Sequence, residues 1–122
     1  MCVPVRYFGL HLCIYSDTLK IMFLIEKTVT FDRWLTRLRD PVAKARVLVQ
    51  IKKVEAGNLG SSKSLGGGLS ELKIDYGPGY RLYYTRKRRT VIWLLCGGDK
   101  RSQRRDIEKA LKLLDELELR NG

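Results

Sequence analysis

The sequence predicts an α+β fold: a small, mostly antiparallel sheet packed with a helical hairpin and a C-terminal helix, in the order β-α-α-β-β-β-α. Two segments, before residue 58 and after residue 102, place apolar residues at a period of about 3.6, as amphipathic helices do. Between residues 69 and 96, apolar residues instead alternate or form one short continuous run, as strands do. At 122 residues the chain has room for one core, so a single domain is expected.

The first 21 residues match neither an amphipathic helix nor a clean strand, and we expect an N-terminal extension outside the fold over residues 1–21. A second methionine, Met22, stands directly before the β-rich run of residues 23–28, which makes a natural first strand. The predicted domain covers residues 22–118, and residues 119–122 form a tail.

Two helices follow and form the hairpin. The first is capped by Thr30 or Asp32, stops at Asp40, and has an apolar stripe at i, i+3, i+4 and i+7: Phe31, Trp34, Leu35 and Leu38. Pro41 suits the first turn of the second helix, which closes at Gly57. The face of the second helix expected to be buried consists of Val42, Ala45, Val49 and Val54.

A Gly/Ser-rich segment, residues 59–68, predicts a loop in which Lys63 is the only charge. Three strands are predicted after it. In the first two, alternation puts polar side chains on one sheet face, namely Glu71, Lys73, Arg81 and Tyr83. The third, residues 91–96, is apolar on both faces, as a central strand covered on both sides would be.

The last helix is predicted to begin near Ser102, a possible N-cap, and its apolar stripe is Ile107, Ala110, Leu111, Leu114 and Leu117. The positive charge of the chain is concentrated just before and at the start of this helix. Residues 81–105 contain nine Lys/Arg against one acidic residue, a formal +8 of the chain's +11. The expected partner is a polyanion, with nucleic acid favoured over an acidic protein.

The sequence lacks the residues or segments that several classes of protein require. No run approaches the roughly 20 apolar residues that span a bilayer, and no signal peptide is indicated, so a cytoplasmic location is expected. Three cysteines, Cys2, Cys13 and Cys96, have no metal-ligand spacing, and Cys96 fits a small buried hydrophobe. The only histidine is His11, which excludes a two-histidine ribonuclease, a Ser-His-Asp triad and a histidine metal site. No metal or cofactor is expected.

Cationic chemistry on phosphate remains. Arg81 is the first candidate, because a guanidinium supplies forked donors to phosphate oxygens and stabilises charge that develops on them. Glu71 is a candidate general base for a ribose 2′-hydroxyl, with Lys73 or Lys63 nearby, although a Glu-Lys pair on a strand is also an ordinary surface pair. Tyr83, beside Arg81, is a candidate to stack on an unpaired base.

Two further cationic groups are candidates for binding RNA. The first lies at the predicted turn between the second and third of these strands, and fits phosphate contact or a solvated turn equally well: Arg86, Lys87, Arg88 and Arg89. The second lies at the start of the last helix, where backbone amides and the helix dipole favour an anion: Lys100, Arg101, Arg104 and Arg105.

Four motifs, in this order, resemble the RelE/HigB type of toxin from bacterial type II toxin-antitoxin modules, within the RelE/ParE superfamily. They are Gly66-Gly67-Gly68-Leu69, Glu71-Leu72-Lys73, Gly77-Pro78-Gly79-Tyr80-Arg81 and Cys96-Gly97-Gly98-Asp99-Lys100. The resemblance covers about residues 22–118 and is strongest to the subgroup described as phage-derived or addiction-module killer proteins.

The resemblance implies a RelE-like fold and a metal-independent endoribonuclease, an mRNA interferase that cuts messenger RNA in the ribosomal A site. It implies that Lys73 and Arg81 surround the scissile phosphate, that the neighbouring 2′-hydroxyl attacks, and that the products are a 2′,3′-cyclic phosphate and a 5′-hydroxyl. It also implies a cognate antitoxin, HigA-like with a helix-turn-helix, and contact with operator DNA only through the antitoxin complex.

The chain departs from the family pattern at two places. Glu71 stands where some RelE-like enzymes have a second lysine, and the C-terminus lacks the histidine or tyrosine of HigB-like enzymes, so Lys100 is a candidate substitute cation. Two alternatives stay open: a ParE-like toxin that inhibits DNA gyrase on the same fold, and a non-catalytic basic RNA-binding module.

Overall fold

The computed structural model describes the backbone of residues 3–7, 10–15 and 18–121 and the side chains of residues 22–120. Within these residues the elements, in chain order, are β1 (Val3–Tyr7), β2 (Leu10–Tyr15), β3 (Thr18–Ile21), β4 (Leu24–Lys27), α1 (Val29–Arg37), α2 (Pro41–Glu55), β5 (Ser61–Gly66), β6 (Leu69–Ile74), β7 (Tyr80–Lys87), β8 (Val91–Gly98), a 3-10 turn (Lys100–Ser102) and α3 (Gln103–Asn121).

A five-stranded sheet with the order β4-β8-β7-β6-β5 carries the fold. β4 runs parallel to β8, and the other neighbours are antiparallel. Residues of α1 and α2 pack on one face of the sheet and residues of α3 on the other, forming two separate apolar clusters. β8 contributes Ile92 and Leu94 to the first cluster and Leu95 and Cys96 to the second. The α+β fold and the doubly covered strand are thereby confirmed.

The N-terminal residues form strands, which the sequence pattern did not predict. β1, β2 and β3 pair in an antiparallel sheet of their own, separate from the five-stranded sheet. Pairing satisfies the backbone donors and acceptors of such strands whether or not their side chains alternate. Cys2, Cys13 and His11 lie outside the residues whose side chains are described. That residues 1–21 lie outside the fold unit stays a prediction.

The predicted loop of residues 59–68 is wrong over its middle six residues, because Ser61–Gly66 is the edge strand β5. It forms a hairpin with β6 through Gly67 and Gly68, whose φ angles of 63° and 86° lie in the left-handed region. Glycine and serine have little strand propensity, but main-chain pairing with β6 is sufficient for an edge strand with few packed side chains. The register places Lys63 directly opposite Glu71.

The N-cap of α1 is Thr28 and not the predicted Thr30 or Asp32. Its hydroxyl oxygen accepts a hydrogen bond from the amide of Phe31 (3.0 Å) and donates one to the carbonyl of Leu95 (2.6 Å). One side chain therefore satisfies a free helix amide and ties the helix start to β8. α1 ends at Arg37, three residues before the predicted stop.

Pro41 begins α2 as predicted, with Asp40 as its N-cap, and Gly57 follows the helix with a φ of 95°. Burial lowers the tendency of Asp40 to ionise, but hydrogen bonds from the Tyr76 hydroxyl and from two helix amides outweigh it and lower the pKa of Asp40. The predicted buried face of α2 is largely wrong. The buried residues, here called the core stripe, are Ala43, Val47, Ile51 and Val54.

Val42, Ala45 and Val49, here called the outer stripe, are exposed instead. They follow an i, i+3, i+7 spacing, just as the core stripe follows i, i+4, i+8 and i+11, so α2 has apolar residues on two adjacent sides. Periodicity alone cannot choose between two such stripes. Contact with the sheet determines which stripe is buried, because residues of the core stripe pack in the cluster that contains Leu72 and Leu82.

Two consecutive glycines at the end of β8 let both helical layers approach the sheet. A Cβ on Gly97 would overlap the indole ring of Trp34 from α1, and a Cβ on Gly98 would overlap the carboxylate of Asp106 from α3. Both glycines are buried, and neither has a φ in the left-handed region. Close approach of neighbouring side chains, and not backbone conformation, is therefore what requires glycine here.

We expect Gly97→Ala to destabilise the protein by roughly 1–3 kcal/mol, because the added methyl has to displace a large, packed ring. The free energy of unfolding in urea measures the effect. Ser61→Ala, at an exposed position of β5, is the matched control and should change stability by less than about 0.5 kcal/mol. Equal stability of the two variants would show that Trp34 moves away freely.

Candidate active site

The polar side chains predicted to share one sheet face do so. Strand pairing aligns Lys63, Glu71, Tyr83 and Cys96 across β5, β6, β7 and β8, and the adjacent row aligns Lys73 with Arg81. Residues directly opposite each other on neighbouring strands point to the same side of the sheet. This is the face covered by α3, which packs over Tyr83 and Cys96.

Glu71 and Arg81 form a buried ion pair on this face, near the end of β8. The Nε of Arg81 donates to Oε1 of Glu71 at 2.7 Å, and the two side chains are only 9% and 4% exposed. The Nη1 of Arg81 donates to the carbonyl oxygen of Gly79 at 2.9 Å. Two of the three guanidinium nitrogens are thus fixed by the protein, which sets the plane of the group.

Gln103 completes the pair and is the residue that sequence reasoning missed. Its side-chain amide donates to both carboxylate oxygens of Glu71, at 3.4 and 3.3 Å. The helical spacing could have predicted that Gln103 faces the sheet. It lies four residues before Ile107 and seven before Ala110, at the start of the buried stripe of α3. A polar residue at such a position requires a polar partner on the surface it faces.

Three lysines lie around the buried pair with exposed side chains: Lys63, Lys73 and Lys100. A Cβ built on Gly79 would lie 3.8 Å from Cβ of Lys100 and 3.5 Å from Nη1 of Arg81, so Lys100 lies next to the guanidinium. Among the described residues, neither these lysines nor Nη2 of Arg81 have a hydrogen-bond or ion-pair partner. The arrangement is a set of free cationic donors around one oriented guanidinium, which suits a phosphate group.

Glu71 has a different environment from the one expected of an accessible base. Both of its oxygens accept hydrogen bonds from Gln103, and Oε1 also accepts from Arg81. A carboxylate whose two oxygens are both engaged in hydrogen bonds fixes the position of its cationic partner, which here is the guanidinium of Arg81. The geometry therefore favours Glu71 as a positioning group for Arg81, while the exposed lysines are accessible to a ligand.

The prediction that Tyr83 is exposed for stacking is wrong. The residue is fully buried under α3, in one cluster with Leu69, Leu95 and Leu114. Alternation identified its face correctly but could not show that a helix covers this part of the face. Burial, assisted by the charge of Glu71, raises the pKa of Tyr83, so the phenol stays protonated at neutral pH.

The cations at the β7–β8 turn lie away from the buried pair. Arg86 and Lys87 end β7, five or more residues from Arg81, which corresponds to roughly 17 Å along a strand. Lys87 pairs with Glu118 of α3 at 3.2 Å. The guanidinium of Arg86 lies 4.7 Å from the Phe23 ring centroid. Arg88 and Arg89, with φ of 50° and 67°, form the exposed turn.

The start of the last helix is capped from within the chain. Asp99 is the N-cap of the 3-10 turn that leads into α3, and its carboxylate accepts from the amides of Arg101 (2.9 Å) and Ser102 (3.3 Å), the last residue of that turn. Burial opposes ionisation of Asp99, but these bonds outweigh it and lower its pKa. The amides expected to hold a phosphate are therefore occupied. The side chains of Lys100, Arg101, Arg104 and Arg105 stay exposed for phosphate contact.

Cys96 is buried, as expected of a small hydrophobe, and its thiol donates to the carbonyl of Asp106 at 3.4 Å. Burial, reinforced by the charge of Asp106, raises the pKa of Cys96 to about 12. A thiol with so little thiolate at neutral pH is a poor nucleophile or metal ligand. Among the described residues, no group of three or more His, Cys, Asp or Glu could hold a metal ion.

Comparison with known proteins adds the family. Residues 33–115, which make up more than half of the chain, match the family described as "Phage derived protein Gp49-like (DUF891)". The chain belongs to the Gp49-like family. This family is associated with toxin-antitoxin modules. The matched segment contains the whole candidate site, from Lys63 on β5 to Gln103 on α3.

The Gp49-like chain is also similar to an uncharacterized protein of Haemophilus influenzae. The two are 45% identical over 95 residues, which is 78% of this chain and 96% of the relative. Among the described residues of the Gp49-like chain, no helix has the length and apolar character needed to cross a bilayer.

The buried pair predicts a specific pattern of stability. Arg81→Met leaves the Glu71 carboxylate buried without its cation and should cost about 3–5 kcal/mol, measured by urea unfolding. The double variant Glu71→Leu/Arg81→Met removes both charges and should be clearly more stable than Arg81→Met. Lys73→Met, at the exposed neighbouring position, controls for loss of a cation. Additive losses in the double variant would contradict a direct interaction.

Tyr83→Phe tests the buried phenol. Among the described residues, its hydroxyl has no hydrogen-bond partner, so its removal should leave stability unchanged or slightly raised in urea unfolding. Tyr84→Phe, at the next residue of β7 and also buried, is the comparison variant. A loss of more than about 1 kcal/mol in Tyr83→Phe alone would mean that the hydroxyl does have a partner, such as a buried water.

Proposed function

We propose that this Gp49-like protein is the toxin of a type II toxin-antitoxin module and acts as a ribosome-dependent mRNA endoribonuclease that inhibits translation. The observation that carries the proposal is the oriented guanidinium of Arg81, whose Nη2 has no partner among residues 22–120 and lies near the exposed Lys63, Lys73 and Lys100. Such donors stabilise the charge that develops on phosphate oxygens during cleavage. The family's association with toxin-antitoxin modules supports the biological setting.

In the proposed reaction, the 2′-hydroxyl attacks the adjacent phosphorus and the bond from phosphorus to the 5′-oxygen breaks. Arg81 and Lys73 stabilise the negative charge on the phosphorane oxygens. Solvent water takes the proton of the 2′-hydroxyl and the Lys63 ammonium stabilises the developing 2′-oxyanion, because Glu71 is buried and both its oxygens are engaged. Lys100 returns a proton to the leaving 5′-oxygen. The products are a 2′,3′-cyclic phosphate and a 5′-hydroxyl.

Glu71 and Gln103 act in this scheme as positioning residues, because each contacts Arg81 or its partner and neither reaches the substrate. The exposed cations at the start of α3 contribute affinity for the RNA backbone: Lys100, Arg101, Arg104 and Arg105. Arg86, Lys87, Arg88 and Arg89 form a second surface for ribosomal or messenger phosphates. The proposed partners are messenger RNA, the ribosome and a helix-turn-helix antitoxin that alone contacts operator DNA, all in the cytoplasm.

Primer extension on total messenger RNA during induced expression tests the activity. We expect new 5′ ends within translated messages, and their loss when the same message is made untranslatable. Growth arrest without new 5′ ends would favour gyrase inhibition, which a supercoiling assay then detects. Neither growth arrest nor new 5′ ends would leave a non-catalytic RNA-binding module.

Arg81→Lys and Lys73→Ala separate chemistry from affinity. Loss of a preorganised donor to a developing oxyanion lowers the rate by about 100- to 1000-fold, so single-turnover cleavage on purified ribosomes should fall by that factor in both variants. Arg104→Ala, an exposed cation of α3, is the matched control and should mainly weaken binding and its salt dependence. Full activity of Arg81→Lys would exclude the proposed role of the oriented guanidinium.

A further inference from the structure

The outer stripe of α2 has no partner within the described part of the chain. Val42 and Val49 are 48% and 53% exposed, and the adjacent Leu48 is 46% exposed, so α2 holds three of the six large hydrophobic residues that are exposed among residues 22–120. The core stripe of the same helix is already packed against the sheet. A single exposed valine is ordinary, but a continuous apolar stripe along a helix indicates a contact surface.

Two grooves run along this stripe, one on each side of Val49. The first lies between α2 and the end of β6, has a volume of about 460 Å³, and is lined by Val42, Ala45 and Ile74 among others. The second, also of about 460 Å³, lies between α2 and β4 and is lined by Ile25, Leu48 and Ile51. Val49 forms the ridge between them. This shape fits side chains projecting from a partner helix at i, i+3, i+4 and i+7.

The charged residues that line the grooves are mostly basic. The cations, here called the basic rim, are Lys27, Arg46, Lys52, Lys53 and Lys73. Only Asp75 and Glu55 are acidic, and Glu55 already pairs with Lys52 at 3.6 Å. The occupant that complements an apolar stripe inside a basic rim is an amphipathic helix with an acidic polar side.

We propose that the outer stripe and the basic rim form a docking site for an acidic amphipathic helix of another protein. A second copy of this chain fits poorly, because it would place one basic rim near another in a protein of net charge +11. Nucleic acid would satisfy the rim but would leave the apolar stripe without a complementary surface. Val42 to Val49 spans roughly 10 Å along the helix axis, so about two turns of partner helix cover the outer stripe.

The site is linked to the candidate active site through one residue. Lys73 lines the first groove and also faces the same side of the sheet as Arg81. The side chain of Lys73 lies on the α3 side of the sheet, so acidic groups of a docked helix would neutralise or cover it where they extend past the groove. On the proposed function, which this step requires, docking would inhibit RNA cleavage without occupying the guanidinium of Arg81.

Two synthetic helical peptides of about 18 residues test the docking, with the same leucine stripe and with either glutamates or lysines on the polar side. We expect fluorescence anisotropy to show at least tenfold tighter binding of the acidic peptide. Val49→Ser should weaken that binding by roughly tenfold, and Val42→Ser should do likewise. Val29→Ser is the matched control, since Val29 is 68% exposed but lies on α1.

Absence of binding, or equal binding of both peptides, would overturn the proposal. So would acidic-peptide affinity that Val49→Ser and Val42→Ser leave unchanged, because that outcome means charge alone. A concentration-dependent dimer in sedimentation that Val49→Ser abolishes would assign the stripe to a second copy. Circular dichroism of each variant shows that the fold is retained.

Cleavage assays with and without the acidic peptide then test the link through Lys73. These outcomes stay separate from the proposed function, because the binding measurements contain no RNA. If the protein cleaves RNA but binds no peptide, only the docking proposal fails. If the peptide binds through the outer stripe but no RNA is cleaved, only the proposed function fails.

Discussion

The paired glycines at the end of β8 are the constraint on which the candidate site depends. Because Gly98 has no side chain, Asp106 of α3 comes against the strand, where the Ser102 hydroxyl donates to its carboxylate. That contact fixes the start of α3 over the sheet, and Gln103 at this position reaches Glu71. Glu71 in turn orients Arg81. A backbone feature of β8 therefore determines the direction of a guanidinium on the neighbouring strand β7, through Glu71 on β6.

Burial of the Glu71–Arg81 pair has a cost as well as a benefit. Removing two charges from water is expensive, and the Coulombic attraction repays this only when the geometry is good and the remaining donors and acceptors are satisfied. Glu71 meets that condition through Gln103, whereas Arg81 meets it only in part, since Nη2 has no partner among the described residues. An oxygen atom of a bound ligand could accept a hydrogen bond from this Nη2 group and so satisfy the last donor of the buried pair.

Local patterns predicted much of this molecule. The order of β4, α1, α2, β6, β7, β8 and α3 follows from the spacing of apolar residues and from the positions of glycine and proline. The same patterns predict the central strand β8, the start of α2 at Pro41 and the shared face of Glu71, Lys73 and Arg81. What could not be predicted depends on contacts between distant segments. β5 is a strand because its main chain forms hydrogen bonds with β6, and Tyr83 is buried because α3 packs over it. Gln103 joins the site only once α3 is placed on the sheet.

The misassigned face of α2 has a physical meaning. A helix that had only to pack on a sheet would need one apolar stripe, and a charged opposite side would stabilise the rest in water. α2 has two apolar stripes, and the outer stripe leaves apolar area in contact with water, without a packing partner among the described residues. Folding does not need such a stripe, since the core stripe already closes the cluster of Phe31 and Leu72. The two adjacent apolar stripes of α2 made its buried face impossible to predict from periodicity. The same second stripe makes α2 a surface for association, beside a cationic site whose charge a partner can balance.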